Sequence, residues 1–307
     1  MLSFLPSFIL GIVCILLVVI NTLFWTPPVY ALAIAKFFLR FKAWQRKSSI
    51  YLMKTVKGWI WGIIISLKLT QKISWDVKGI DRLKLNEWYF VNSNHQSWTD
   101  IVVLLKIFAN KIPFPKFFLK KELFWIPILG TAWWALDYPF MRRYTREYLE
   151  KHPEKQGKDL EITRKACERY KYTPVSILNF IEGTRFTPGK HKRQQSPYRH
   201  LLNPRAGGFA FALNAMNGKI TKMLDVTIVY PEGPIKFWNF LCGRVSRIIV
   251  RVKEITIPKE LMTGNYEDDP VFRERFQQWV RELWQKKDKL IEEIVNDNLI
   301  PAPAGHE

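Results

Sequence analysis

The stretch WYFVNSNHQSWTD, residues 88–100, runs from an apolar segment through polar residues into the start of an amphipathic helix. Its first half predicts a buried β-strand, because short apolar runs rich in aromatic and β-branched residues are typical of central strands. The same change from apolar strand to polar loop occurs at VSILNFI, residues 175–181. Functional groups of α/β sheets gather where strands end, so both junctions are candidate sites.

Strand and helix patterns alternate on both sides of this stretch. Further strand patterns are KISWDVKGI, MLDVTIVY and SRIIVRVKEITI, at residues 72–80, 223–230 and 246–257. Helical patterns occupy residues 98–109, 122–136, 206–216 and 270–296. Strands separated by helices predict an α/β sandwich of a mostly parallel sheet with flanking helices. The polar, charged segments 151–159 and 187–200 are predicted to be loops.

The N-terminus is apolar, and no charged side chain precedes Lys36. Residues 4–25 are long enough to cross a bilayer as a helix. A signal peptide is the alternative, but no basic region precedes the run and no small-residue cleavage site follows it. We expect Pro27 and Pro28 to end the helix, because neither can donate a backbone hydrogen bond. We therefore predict a retained transmembrane anchor over residues 1–30.

The next segment, residues 31–75, carries nine Lys and Arg residues before the first acidic residue, Asp76. Aromatic side chains are interleaved with these cations, a mixture that suits anionic headgroups and the headgroup boundary. The apolar run at 59–67 is too short to span, so we expect it to lie in the interface or to re-enter. The positive-inside rule places this interfacial segment, and the body that follows it, on the cytoplasmic face.

The whole chain of 307 residues is basic, with 47 Lys+Arg against 27 Asp+Glu and a formal net charge of +20. A hydrophobic content of 48% excludes a disordered basic tail. Three widely separated cysteines exclude a disulfide scaffold and a cysteine-based metal domain. Nucleic acid is a disfavoured partner, since zinc-finger, RNA-recognition and basic-zipper patterns are missing from the sequence. Part of the charge can be a solvated face, and an anionic membrane surface is the favoured partner.

His95 follows the strand predicted at residues 88–94, and Asp100 lies about one helical turn further along. A carboxylate beside an imidazole holds its tautomer and stabilises its charged form, which prepares the other ring nitrogen to accept a proton. Asp100 could instead simply cap the start of a helix. The spacing alone leaves both interpretations open.

The second junction reads FIEGTR, residues 180–185. Gly183 lets the backbone approach a ligand, Thr184 offers a hydroxyl, and Arg185 can bind a phosphate with two parallel hydrogen bonds. A plain salt bridge between Glu182 and Arg185 within a turn is the alternative. The quartet Glu-Gly-Thr-Arg is nevertheless a rarer signal than the His–Asp spacing.

Together these motifs resemble the lysophosphatidic acid acyltransferase (PlsC-like) family of glycerolipid acyltransferases. The Asn-His-x4-Asp segment ends at Asp100, and Glu-Gly-Thr-Arg begins 82 positions later. Gly130 to Arg142 and Val226 to Pro231 resemble two further family blocks. Ile181 stands where the family usually has proline, and LNPRAGG at 202–208 is more similar to the subgroup with lysocardiolipin acyltransferases.

The resemblance implies an acyltransferase domain over residues 76–300 in a bacterial inner-membrane protein. The expected reaction is O-acyl transfer from acyl-CoA or acyl-carrier protein to a lysophospholipid, most simply lysophosphatidic acid. His95 would be the general base and Asp100 its orienting partner. The acceptor phosphate would be held by Arg142 and by the quartet Glu182, Gly183, Thr184 and Arg185.

Lys120 and Lys121 lie where the resemblance places the donor side of the family's site, and it suggests that they bind the phosphates of CoA. The alternative is that they are solvated, as two lysines at the start of a helix often are. No bound cofactor or metal is implied. Two alternative functions remain: acylation of lysocardiolipin or lysophosphatidylglycerol, and a non-catalytic, membrane-anchored basic binding protein. The non-catalytic binding protein is disfavoured, because the chain has all four of the family's site residues His95, Asp100, Glu182 and Arg185.

Overall fold

The computed structural model describes residues 2, 4–39, 41–126, 129–138, 140–141, 151–152, 158–171, 173–262 and 264–299. Two long helices come first, α1 (Ser7–Phe38) and α2 (Lys42–Thr70), and they pack as a hairpin. The Asn21 side chain donates to Trp59 O across the hairpin. The helices approach closely here, since a Cβ atom at Gly62 would lie 1.8 Å from Asn21 Oδ1 and the Asn21 side chain would have to move.

The helix α1 continues through Pro27 and Pro28, so the prediction that these prolines end it is wrong. Contacts with α2 on both sides of the pair hold the helix together despite the lost backbone hydrogen bonds. One of them joins Lys36 Nζ to Ser49 Oγ over 3.0 Å. The boundary predicted at residue 30 therefore falls within α1.

The apolar run 59–67 is part of the longer helix α2, and its predicted position in the membrane interface stays a prediction. By length and composition, α1 and the Ala43–Thr70 part of α2 are each long and apolar enough to cross a membrane. Sequence reasoning missed this because the lysines on α2 interrupt its apolar pattern.

The main sheet contains six strands, β1 (Ser74–Lys78), β2 (Tyr89–Ser93), β3 (Pro115–Lys116), β6 (Ser176–Asn179), β7 (Lys222–Val229) and β8 (Arg247–Thr256). Their order is β1-β8-β7-β2-β6-β3, and every neighbouring pair is parallel except β7 and β8. The short strands β4 (Leu119–Lys120) and β5 (Phe140–Met141) pair separately. The predicted mostly parallel α/β sheet is confirmed.

Helices cover both faces of the sheet. The described ones are α3 (Thr99–Phe108), α4 (Leu129–Ala135), α5 (Lys158–Cys167), α6 (Pro188–Gln194), α7 (Ala206–Ala215), α8 (Phe237–Leu241), α9 (Lys259–Met262) and α10 (Pro270–Leu299). One core contains apolar side chains of α3 with one face of the sheet. The other contains apolar side chains of α7 and α10 with the opposite face, which completes the predicted sandwich.

Two segments differ from their predicted secondary structure. The predicted loop 187–200 contains α6, which Thr187 caps by accepting from Lys190 N, with Pro188 at its first position. A Thr-Pro pair is a helix-start signal that could have been recognised. The predicted helix 122–136 is divided into a 3₁₀ helix, Lys121–Trp125, and α4. Of the other predicted loop, residues 153–157 lie outside the described residues.

The strand order brings the two candidate junctions together. Strands β2 and β6 are parallel neighbours, with Asn92 opposite Asn179. The loops that follow them therefore leave the sheet at the same edge.

Candidate active site

The His95 ring lies at the end of β2 and contacts Asp100, with 2.9 Å between Nδ1 and Oδ2. The loop is held by Asn94, whose side chain accepts from Ile228 N and donates to Ile228 O, both over 2.8 Å. The His95 ring also stacks on Phe180, with 4.0 Å between the ring centroids. Within the described residues, no protein group hydrogen-bonds to Nε2.

Asp100 lies in the first turn of α3 and is fully buried. Its Oδ2 also accepts from the backbone N–H groups of Gln96 and Ser97, over 2.6 and 2.8 Å. Its Oδ1 accepts from the Tyr230 hydroxyl over 2.6 Å, and burial raises the pKa of Tyr230 so that the phenol remains a donor. Asp100 therefore holds the loop that precedes α3 and contacts the imidazole, whereas among the described residues no side chain caps the start of α3 itself.

Glu182 was expected to contact the acceptor, but the structure places its side chain behind His95. The carboxylate is fully buried, and its two oxygens accept from His95 N over 2.9 Å and from Leu202 N over 3.0 Å. Burial raises the pKa of Glu182 to about 7. A carboxylate so enclosed supports the loop, and the contact of Glu182 with the acceptor stays a prediction.

The loop 182–186 is fastened to His95 at both ends. Glu182 accepts from the N–H of His95, and Phe186 N donates to the carbonyl oxygen of His95 over 2.7 Å. Gly183 adopts a φ of +68°, which favours glycine, and lets the loop turn within this short span. Thr184 and Arg185 are consequently held next to His95, and their predicted role in binding the acceptor phosphate stays a prediction.

Three basic side chains lie along this loop. The Arg185 guanidinium lies over the Trp98 ring at 4.9 Å, in place of the salt bridge to Glu182 that the sequence left open. Lys190 Nζ donates to Thr184 Oγ1 over 2.6 Å and to Arg185 O over 3.1 Å. A Cβ atom at Gly183 would lie 3.1 Å from Arg205 Cδ, which places Arg205 against the turn. Such a cluster can bind an anionic group, phosphate in particular.

Sequence reasoning missed Lys190, Arg205 and Tyr230 as parts of this site. Lys190 was assigned to the predicted loop 187–200. The helix-start signal Thr187-Pro188 would have placed it in the first turn of a helix that begins just after Arg185. Arg205 lies within a stretch that was noticed only for its family resemblance, and Tyr230 ends the strand pattern 223–230. For Tyr230 the decisive information is the tertiary contact, because Tyr230 follows β7 and meets Asp100, which is 130 positions away in the chain.

The remaining predicted residues are not brought to this site by the described structure. Arg142 lies outside the described residues, and so does the side chain of Lys120, whose backbone is in β4. Lys121 is exposed at the start of its 3₁₀ helix. The phosphate role of Arg142 and the donor roles of the two lysines stay predictions.

Comparison with known proteins places this geometry in a family. A family model described as "Acyltransferase" matches residues 74–233, slightly more than half of the chain, and this range includes His95, Asp100 and the loop 182–186. The chain belongs to this acyltransferase family.

Curated relatives carry more specific names. The chain is similar to 1-acyl-sn-glycerol-3-phosphate acyltransferase gamma of Homo sapiens, at 27% identity over 191 residues, covering 59% of this chain and 46% of the relative. It is also similar to 1-acyl-sn-glycerol-3-phosphate acyltransferase 2 of Brassica oleracea, at 25% identity over 195 residues, covering 60% and 45%. The match thus spans about half the length of these relatives.

A solved structure is similar over most of this acyltransferase. The crystal structure of the 1-acyl-sn-glycerophosphate (LPA) acyltransferase PlsC from Thermotoga maritima matches with a TM-score of 0.48 and 19% sequence identity. The match covers 94% of this chain and 100% of the PlsC chain.

Proposed function

We propose that this protein is a membrane-bound O-acyltransferase that moves a fatty acyl group from acyl-CoA or acyl-carrier protein to the free hydroxyl of a lysophospholipid. The proposed main reaction converts lysophosphatidic acid to phosphatidic acid. The supporting observation is the buried His95–Asp100 pair, 2.9 Å apart, whose imidazole leaves Nε2 available beside a basic loop.

In the proposed mechanism, His95 Nε2 takes the proton of the acceptor hydroxyl as its oxygen attacks the thioester carbonyl. The thiolate then leaves and recovers a proton from the imidazolium. Asp100 holds the tautomer and balances the imidazolium charge, while Tyr230 and two backbone N–H groups keep Asp100 in place. A thioester is already activated, so direct transfer needs no acyl-enzyme intermediate.

The basic loop supports a phosphate-bearing acceptor. Arg185, Lys190 and Arg205 offer donors next to Thr184, and the relatives' names specify 1-acylglycerol 3-phosphate as their acceptor class. A phosphomonoester carries more negative charge than the phosphodiester of lysophosphatidylglycerol or lysocardiolipin. We therefore favour lysophosphatidic acid over those two alternatives.

The N-terminal hairpin supports membrane attachment. Large apolar side chains are exposed on α1, namely Phe8, Leu16, Ile20, Leu23 and Phe24. Both the acceptor and the product are bilayer lipids, so an anchored enzyme can take the acceptor from the leaflet without extracting it into water. The cations around the hairpin favour the cytoplasmic face, and we propose the inner membrane of a bacterium.

The test follows thiol release from oleoyl-CoA by the full chain in detergent, with and without lysophosphatidic acid. We expect acceptor-dependent release that His95→Ala lowers by about 10³-fold. His200→Ala is the matched control, since that ring bonds to Glu292 on α10. Acceptor-independent release would indicate a thioesterase instead.

Two further arms separate the alternatives. Acyl-carrier protein replaces oleoyl-CoA as the donor, and lysocardiolipin or lysophosphatidylglycerol replaces lysophosphatidic acid as the acceptor. A preference for either diester acceptor would overturn the proposed main reaction. Lipid binding without turnover for every donor and acceptor would support the non-catalytic binding protein.

A further inference from the structure

Trp98 is a large aromatic side chain that stays 53% exposed although it lies only three positions after His95. It directly precedes α3, with a φ of −59° and a ψ of −23°. Asp100 fixes the loop on its N-terminal side by accepting from the N–H groups of Gln96 and Ser97. The indole is therefore held at the surface in the same loop as the imidazole, and the proposed mechanism gives it no role.

The Arg185 guanidinium lies over this indole, with 4.9 Å between its Cζ and the ring centroid. Arg185 belongs to the loop 182–186, which is fastened at both ends to the main chain of His95. Both side chains are exposed. The contact between Trp98 and Arg185 thus joins, on the exposed side, the same two loops that the buried hydrogen bonds join underneath.

The polar donors of Arg185 are not used within the protein. In the described part of the chain, its guanidinium forms neither a hydrogen bond nor an ion pair. The sequence from 183 to 224 contains no Asp or Glu that could supply a carboxylate. An aromatic ring attracts a cation through its face and needs none of its N–H groups. Among the described residues, all five guanidinium donors are therefore left for an anionic ligand.

We propose that Trp98 is a positioning residue for the acceptor phosphate: its indole holds the Arg185 guanidinium beside the His95 loop with the N–H donors free. Without the ring, the long arginine side chain would sample many rotamers, and binding of the phosphate would have to immobilise them. The inference rests on the proposed function, in which Arg185 binds the phosphate of lysophosphatidic acid. It assigns Trp98 an effect on acceptor binding and none on the chemical step.

The test measures kcat and KM for lysophosphatidic acid with the full chain in detergent, following thiol release from oleoyl-CoA. Trp98→Leu keeps an apolar side chain and removes the aromatic face. We expect KM to rise by about fivefold, the effect of one exposed cation–π contact. We expect kcat to stay within about twofold, because the phosphate is held equally in the ground and transition states. Trp98→Phe retains an aromatic face and should keep KM within about twofold of wild type.

The matched control is Trp75→Leu. Lys106 Nζ lies 3.4 Å from the centroid of the Trp75 ring, so this variant removes the same kind of contact. Trp75 is on β1, which is separated from β2 by β8 and β7. We expect Trp75→Leu to keep the wild-type KM. An equal rise of KM in this control would overturn the proposal, since the effect would then be independent of Arg185.

A double-mutant cycle determines whether Trp98 acts through Arg185. Arg185→Met alone should raise KM, and we expect Trp98→Leu to add less than about twofold in the Arg185→Met background. A further full fivefold rise would mean that Trp98 acts on a substrate by itself, and it would overturn the proposal. Should Arg185→Met turn over too slowly for kinetics, the same four proteins are compared by their Kd for lysophosphatidic acid, measured by isothermal titration.

A merely structural role for Trp98 would lower kcat and the melting temperature together at unchanged KM, and that result would also overturn the proposal. Failure of the proposed function gives different results: the wild type shows no acceptor-dependent thiol release, or His95→Ala retains it. An unchanged KM in Trp98→Leu with an inactive His95→Ala would reject only the role of Trp98.

Discussion

Glu182 Oε1 accepts a hydrogen bond from the backbone N–H of His95 over 2.9 Å, joining two loops that are 87 positions apart. The carboxylate of the Glu-Gly-Thr-Arg quartet thus supports the candidate base from behind, while Thr184 and Arg185 remain on the accessible side. Parallel pairing of β2 with β6 makes the contact possible, because both loops begin at the same sheet edge.

Asp100→Asn tests the orientation of the imidazole. The variant keeps the shape of the side chain, and Tyr230 can accept from the new amide group, so we expect it to fold. It loses the negative charge that stabilises the imidazolium, and we expect kcat to fall by at least about 10²-fold with little change in KM. Steady-state kinetics with a thermal melt measure both, and a kcat within about threefold of wild type would contradict the proposed role.

Tyr230→Phe tests the support of Asp100. Removing the hydroxyl leaves the buried Asp100 Oδ1 without this donor, which lowers the free energy of unfolding by about 1–3 kcal/mol. We expect a smaller loss of kcat than for Asp100→Asn, since Nδ1 keeps its partner. Tyr266→Phe, which loses only a bond from Gln277, is the matched control. Equal stability of Tyr230→Phe and wild type would argue against a structural hydroxyl.

Glu182→Gln tests the buried carboxyl by its pH dependence. The pKa of Glu182 is raised to about 7 from an ordinary value of 4.5. Between these values the native protein holds a proton that the unfolded chain has released, so stability falls as pH rises, by up to about 3 kcal/mol.

The measurement is chemical unfolding in detergent from pH 4.5 to 8. The difference in unfolding free energy between wild type and Glu182→Gln should shrink as the pH rises through this window and then level off above about pH 7. Parallel curves for the two proteins would show that Glu182 does not titrate there.

Lys190→Met tests the basic loop as the phosphate site. The variant removes an ammonium group that bonds to Thr184 Oγ1 and Arg185 O. We expect KM for lysophosphatidic acid to rise by about tenfold, with kcat within about twofold, because the phosphate is held equally in the ground and transition states. Lys192→Met, an exposed lysine on the same helix, should leave KM unchanged. A lowered kcat at unchanged KM would place Lys190 in the chemical step instead.

Local patterns predicted much of this molecule. The strands at 72–80, 88–94, 175–181, 223–230 and 246–257, and the helix at 270–296, were all recognisable, because their apolar periodicity lies within a few consecutive residues. The spacing of His95 and Asp100 allowed their contact but left capping of a helix open as an alternative, because His95 precedes α3. The prolines in α1 misled the prediction because packing against α2 overrides a local helix-ending signal.

The amino-acid sequence alone was enough to establish the α/β class and the apolar N-terminus, and to single out His95 and Asp100 as candidates. The folded chain was needed to show that the buried Glu182 carboxylate accepts from His95 N and Leu202 N, and that Tyr230 and Lys190 lie beside the two candidate loops. The difference has one physical cause. A residue's local environment follows from its neighbours in the chain, whereas the direction of a side chain and its charge state depend on strand register and burial against segments far away in sequence.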